Sequence, residues 1–295
     1  MPPSQIVVGV DFSAPSLVAA RWTARHFGND AALVLAHAVC VPEPPAFLRG
    51  FFAPTQPLIE DARRGAQARL EELIGSLPAA RVRAEVRVGG RPHEVLSSVA
   101  DELQADLLVV GAHGERPGIW RLLGSTAEHT ARRARTSVFL ARGLPPEGLR
   151  TILVALDESE VTSSVIEWTS LLARRFGAKV IAVHVLHRFL HGPTLIAASP
   201  SERNRAEEQL RRRTEEWLRQ QVPSIGDEAP VVEALFGDAG LEILSAVERY
   251  AADLLVIGHH GARPASGGFL GSVAEFLLRN GSGAVLTVSG FSRGQ

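Results

Sequence analysis

The sequence predicts an α/β protein of two tandem, doubly wound parallel sheets with five strands each. Three observations predict it. Short apolar runs alternate with amphipathic stretches along all 295 residues. The runs are rich in Val, Leu and Ile and show little alternation, which suits strands buried on both faces of a parallel sheet. The whole pattern then occurs a second time, and a repeat read from sequence decides the architecture before any single element does.

The elements follow in order. "IVVGVDFS" (Ile6–Ser13) matches "ILVALDES" (Ile152–Ser159), a first strand ending at an aspartate. "APSLVAARWTARHF" (Ala14–Phe27) carries apolar residues at helical spacing. Trp22 and Trp168 follow the two aspartates at the same distance and read as core. "LVLAHAV" (Leu33–Val39) matches "VIAVHVL" (Val180–Leu186), a second strand with a histidine near its end. "VRVGGRP" (Val86–Pro92) matches "ALFGDA" (Ala234–Ala239), placing Gly90 opposite Gly237. "PHEVLSSVADEL" (Pro92–Leu103) is the third helix. "ADLLVVG" (Ala105–Gly111) matches "ADLLVIG" (Ala252–Gly258), and "TSVFLAR" (Thr136–Arg142) matches "GAVLTVS" (Gly283–Ser289). The alternation implies right-handed crossovers and, in a 3-2-1-4-5 strand order, helices on both faces. "GLPPEGL" (Gly143–Leu149) reads as a linker with little to bury, giving domains 1–146 and 147–295. Two longer segments, Cys40–Leu58 and His187–Glu202, exceed ordinary connections and read as lids or partner surfaces.

Bulk properties narrow the classes. Charged residues make up 21% and the net charge is −1, so neither nucleic acid nor an anionic membrane is an expected partner. No apolar run approaches the ~20 residues that span a bilayer, and the N-terminus lacks a signal peptide's apolar core, so a cytoplasmic protein is expected. Cys40 is the single cysteine and reads as a buried small residue.

The chemistry concentrates in two stretches. "GAHGERPGIWRLLGS" (Gly111–Ser125) and "GHHGARPASGGFLGS" (Gly258–Ser272) share the form G-x-x-G, nine residues, G-S. In a doubly wound sheet, ligands sit beyond the carboxyl ends of the strands where strand order reverses. The aspartates Asp11 and Asp157 and the glycines Gly111 and Gly258 close neighbouring strands there. Glycine lets backbone N–H groups approach an anion, and the helix opening at the G-S pair offers unpaired donors and partial positive charge. Ser13 and Ser159 read as helix caps that leave the aspartates free.

Strand-D-x-S, G-x-P and the doubled G-x-x-G-x9-G-S together resemble the universal stress proteins over nearly the whole chain, in their tandem, ATP-binding form. The resemblance implies the Rossmann-like fold of the adenine nucleotide alpha hydrolases. It implies ATP as ligand, with or without Mg2+, and one site per domain. It places Asp11 and Asp157 near the ribose and phosphates, with the strand ends before them, Gly9, Val10, Ala155 and Leu156. Ala38 and Val185 match the position that packs on adenine. Gly111, Gly114, Gly124 and Ser125, with Thr126, match the ribose–phosphate loop, as do Gly258, Gly261, Gly271 and Ser272 with Val273. Arg116 and Arg263 are added on charge grounds as phosphate partners. The second half carries Ala239 where the family pattern has proline.

The function implied is a stress-response regulator or sensor. The alternatives are a weak ATPase or phosphotransferase, and a nucleotide-free scaffold. The chain lacks G-x-x-x-x-G-K-[ST] and lacks G-x-G-x-x-G after its first strand, and it shows no evident catalytic or metal cluster. His37 and His184 read as packed structural residues, and His113, His259 and His260 as contacting rather than catalytic. In the family the last strand pairs between domains. The halves are therefore expected to form an internal pseudo-dimer through Thr136–Arg142 and Gly283–Ser289, with a further homodimer and a regulatory protein partner left open.

Overall fold

The structure is a computed structural model, and it describes residues 2–41, 56–112, 123–186, 199–224, 229–260 and 270–290. Two compact units divide the chain, the first ending at Arg142 and the second spanning Gly143–Gly290.

In the first unit the described elements are β1 (Gln5–Gly9), α1 (Ala14–Phe27), β2 (Ala32–Val39), α2 (Gln56–Gly75), β3 (Val82–Val88), α3 (Pro92–Glu102), β4 (Leu107–Gly111), α4 (Ser125–Arg133) and β5 (Ser137–Ala141). In the second they are β6 (Thr151–Ala155), α5 (Thr162–Phe176), β7 (Lys179–Leu186), α6 (Pro200–Gln221), β8 (Val231–Phe236), α7 (Ala239–Arg249), β9 (Leu254–Gly258), α8 (Ser272–Asn280) and β10 (Ala284–Val288). Within the first unit the strand order is β3-β2-β1-β4-β5, and within the second it is β8-β7-β6-β9-β10. Every strand pair within each sheet is parallel. This is the 3-2-1-4-5 order twice. Strand order reverses between β1 and β4, and between β6 and β9.

Why these residues form these elements is visible in α1. Its buried residues Ser16, Ala19, Ala20, Thr23, Ala24 and Phe27 recur at three- and four-residue steps, one stripe against the sheet. Trp22 joins that core at 5% exposure and stacks on Phe139 of β5, ring centroids 5.5 Å apart. Trp168 is only half-buried, so the matched tryptophan is less of a core residue than its spacing suggests. The inner strands are apolar on both faces because helices cover both. β3 departs from that rule. Its sequence VRAEVRV alternates, and none of its residues is buried. It ends the sheet order, where Arg83, Glu85, Arg87 and Glu102 form exposed ion pairs at 2.7–2.9 Å. Charge on an edge strand discourages further pairing.

Three further sequence expectations need correction. Leu149, placed in a linker with little to bury, is 1% exposed, since an isolated leucine gains by leaving water wherever the chain passes a core. Cys40 is exposed, lying just past the end of β2 where the sheet no longer covers it. The glycine match shifts. Gly89 N–H donates to the Val39 carbonyl (3.0 Å) and Gly237 N–H to the Leu186 carbonyl (3.2 Å), so by strand register Gly237 corresponds to Gly89. The first unit fits one extra residue, Gly90, before its helix, and both of its glycines have positive φ (83° and 74°). The long segments read as lids lie mostly outside the described residues, with α2 beginning at Gln56 and α6 at Pro200. The Arg-rich stretch within α6 is an exposed helix with i,i+4 pairs Glu208–Arg212 (2.8 Å) and Glu215–Arg219 (3.4 Å).

Candidate functional site

In the first unit the site begins at the end of β1. Val10 N–H donates to the Ala36 carbonyl (2.9 Å), which carries the pairing with β2 one residue past the strand. The Val10 carbonyl in turn accepts from His37 Nδ1 (2.7 Å). Leu156 and His184 repeat both contacts, with Leu156 N–H on the Val183 carbonyl (2.9 Å) and His184 Nδ1 on the Leu156 carbonyl (2.7 Å). Each histidine therefore holds its proton on Nδ1 and pins the strand end that precedes an aspartate.

Asp11 sits next, and it is exposed. Its Oδ1 accepts from Ser13 N–H (3.0 Å) and from the Ser13 hydroxyl. Ser13 caps α1, its Oγ accepting from Ser16 N–H (3.4 Å). Ser16 Oγ closes the ring, accepting from Asp11 N–H (3.3 Å) and donating to the Ser13 carbonyl (3.0 Å). The cap thus forms at Ser13 as its position predicts, but Asp11 is not left free. One carboxylate oxygen is spent on the turn. That turn forces Phe12 to φ +64°, a left-handed conformation that costs a bulky side chain of order 1–3 kcal/mol. The Phe12 ring lies 4.8 Å from His37 and under the Arg69 guanidinium, 3.9 Å from its centroid.

The second unit builds the same turn differently. α5 starts only at Thr162, with Val161 as its N-cap and no side-chain cap bond. Ser159 is therefore not the cap that its match to Ser13 suggested. Its carbonyl instead accepts from Thr162 N–H (3.2 Å), a turn that delays the helix, and the Thr162 hydroxyl donates to the Asp157 carbonyl. Glu158, after the aspartate, does not share the positive φ of Phe12.

The other wall is the end of β4. A Cβ on Gly111 would stand 3.0 Å from Ser16 N and 3.1 Å from Pro15 C, so the missing side chain is accounted for by the first turn of α1. Gly258 is matched by Val161 and by the His260 carbonyl, at 2.7 and 3.1 Å from such an atom. At Gly9 the neighbour is Leu96, 2.8 Å away, whereas the second unit places Ala155 there. Past Gly111 the chain leaves and returns. Gly124 N–H donates to the Ala112 carbonyl (2.8 Å), and Gly271 N–H to the His259 carbonyl (2.9 Å). Both loops are thus closed at the base by the same bond, which fixes where α4 and α8 begin. Gly124 and Gly271 are the N-caps of those helices, both extended and neither with a side-chain cap bond. The first-turn N–H donors, at Ser125 and Thr126 and at Ser272 and Val273, point at the crevice end of a helix whose dipole is positive there. Ser125, Ser272 and Val273 are exposed. Ala38 and Val185, read as adenine contacts, are half-buried near the ends of β2 and β7. Gly114, Arg116, His113 and Trp120, and Gly261 and Arg263, lie outside the described residues. No group of three His, Cys, Asp or Glu among the described residues could hold a metal ion.

Comparison with known proteins then decides the family. The model of the universal stress protein family matches residues 3–142 and again 148–289. The chain belongs to the universal stress protein family, in tandem form. Universal stress protein Rv2623 from Mycobacterium tuberculosis is 27% identical over 288 residues, 93% of this chain and 92% of its own length. A shorter relative, Rv1636 of the same organism, is 30% identical over 145 residues, 46% of this chain and 93% of its own length. The solved structure of a universal stress protein from Archaeoglobus fulgidus shares the fold, with TM-score 0.66 at 17% identity, covering 97% of this chain and 98% of that one.

Sequence reasoning missed several groups around the crevice of this universal stress protein. Ser16 and Phe12 complete the Asp11 turn, and Arg69 reaches it from α2. The D-F-S tripeptide is the one available signal for the turn, because an Asp side chain that bonds the backbone two residues on forces the residue between. Arg69 carried no signal, since nothing local marks which exposed helical arginine meets a strand end.

Proposed function

We propose that each unit binds an adenine nucleotide, ATP, across the carboxyl ends of β1 and β4 or of β6 and β9, and that the protein acts as a stress-response regulator or sensor. The carrying observation is the uncapped helix start at Gly124 and at Gly271, each locked to the neighbouring strand end by one hydrogen bond. A glycine N-cap with no side-chain oxygen leaves its donors for a ligand, and phosphate is the anion that fits several of them at once. Asp11 and Asp157 stand on the adjacent strand at ribose distance from such a phosphate in this reading. Ala38 and Val185 are assigned to the base, and Gly114, Arg116, Gly261 and Arg263 to the phosphates. Mg2+ would ride on phosphate oxygens rather than on a protein cage.

Binding without efficient turnover is the reading favoured over a weak ATPase or phosphotransferase. Asp11, the carboxylate nearest the phosphates in this reading, already holds two hydrogen bonds at one oxygen and is poorly placed to act as a base. The halves are taken to pair through their apolar last strands as a pseudo-dimer in the cytoplasm. Light scattering of the purified protein checks for a further homodimer.

The test is to denature freshly purified protein and identify the released nucleotide by chromatography, with its molar ratio to chain. One to two ATP per chain is expected. ADP or AMP alone favours an enzyme, and no nucleotide with no binding of added ATP leaves the scaffold.

A further inference from the structure

We propose that the packing of α3 against α4 in the first unit is a histidine clasp that opens on acidification, and that the second unit carries the same contact in a form blind to pH. The clasp does not depend on the nucleotide reading. It bears on it because α4 is the helix whose start that reading uses.

His93 is the second residue of α3 and is 6% exposed. Its ring stacks on that of His129 in α4, centroids 4.8 Å apart and planes 28° from parallel. His93 Nε2 is buried and has no hydrogen-bond partner among the described residues. The nearest carboxylate oxygen, Glu94 Oε1, is 3.9 Å away on a half-exposed side chain. His129 Nδ1 donates to the Ser125 carbonyl (2.6 Å), so the second imidazole is clipped to the first residue of its own helix. His93 stands in the opening turn of its helix, where the macrodipole disfavours a cation.

The charges that face the pair point the same way. Arg91 caps α3 and Arg133 ends α4, and both repel a proton on His93, as His129 itself does; only Glu94 attracts one. Glu128 on α4 is engaged with Arg132 at 3.6 Å. Burial first, then the neighbouring His129, holds His93 below its ordinary value of 6.5. A second proton on the His93 ring would make Nε2 a buried donor without an acceptor and would set a cation against the face of the His129 ring. Neutral His93 is therefore the form that packs in the fold. Because the folded value is depressed, the clasp's contribution is present above pH 6.5 and is lost as pH falls below it.

The second unit supplies the control. The residues at these two positions are Gly240 and Phe276. A Cβ on Gly240 would lie 2.4 Å from Phe276 Cδ1, so the phenyl ring occupies the space a side chain at 240 would need. At these two positions α7 and α8 thus meet through carbon, with no imidazole to titrate.

Hydrogen exchange of the full-length protein, followed by mass spectrometry and corrected for the intrinsic pH dependence of exchange, tests this directly. Between pH 7.5 and 5.5 the peptides of α3 and α4 should lose protection by about threefold or more, while those of α7 and α8 hold. The double variant His93→Gly, His129→Phe, which copies the second unit, should abolish the difference. Equal pH responses in the two helix pairs of the wild-type protein would overturn the proposal without any variant. So would a folded double variant that keeps the response.

Discussion

Replacing Gly111 with alanine tests why a glycine ends β4. The added Cβ would stand 3.0 Å from Ser16 N and 3.1 Å from Pro15 C, both backbone atoms of the first turn of α1. Ordinary contact needs several tenths of an ångström more, and the obstacle cannot rotate away as a side chain could. α1 must retreat, and it takes with it Ser16, whose Oγ and N–H hold Asp11 and Ser13. Overpacking of this kind costs about 1–3 kcal/mol. The alanine returns about 0.4–1 kcal/mol by restricting the unfolded chain. A net loss of about 1–2 kcal/mol follows from these two terms. Urea unfolding followed by tryptophan fluorescence would read it, with Trp22 a buried residue of that same helix. Gly65, in the middle of α2 with nothing within 4 Å of its Cβ position, is the matched control, and Gly65→Ala should stabilise by about 0.5–1 kcal/mol. If Gly111→Ala proves as stable as the wild type, the close approach of α1 is not what requires glycine there.

Two further substitutions separate the units and the surface. Ser13→Ala removes a cap and the hydroxyl donor to Asp11, leaving the backbone donor, and should cost about 1–2 kcal/mol; Ser159→Ala, at a residue that caps nothing, should cost less than half of that in the same urea titration. Glu85→Gln breaks two exposed ion pairs on β3 and should change stability by less than about 0.5 kcal/mol, with the small difference shrinking further in 1 M salt.

The sequence by itself determined the repeat, the parallel order and the crevice. Those follow from period and spacing: apolar runs without alternation need covered strands, and a crossover has one hand. Ser13, three residues before Ser16, likewise announced a cap that formed. The equivalent Ser159 looked the same and did not cap, because where a helix begins depends on the competing turn, and Thr162 offered another one. Tertiary structure alone decided what Gly111 is for, since the atoms that exclude a side chain come from α1, nearly a hundred residues earlier in the chain. It alone brought His93 to His129 and matched that pair with Gly240 and Phe276. Neither residue of either pair has a local pattern to mark it. Each helix fixes only its own face, and which two faces meet is set by the sheet that both helices cover.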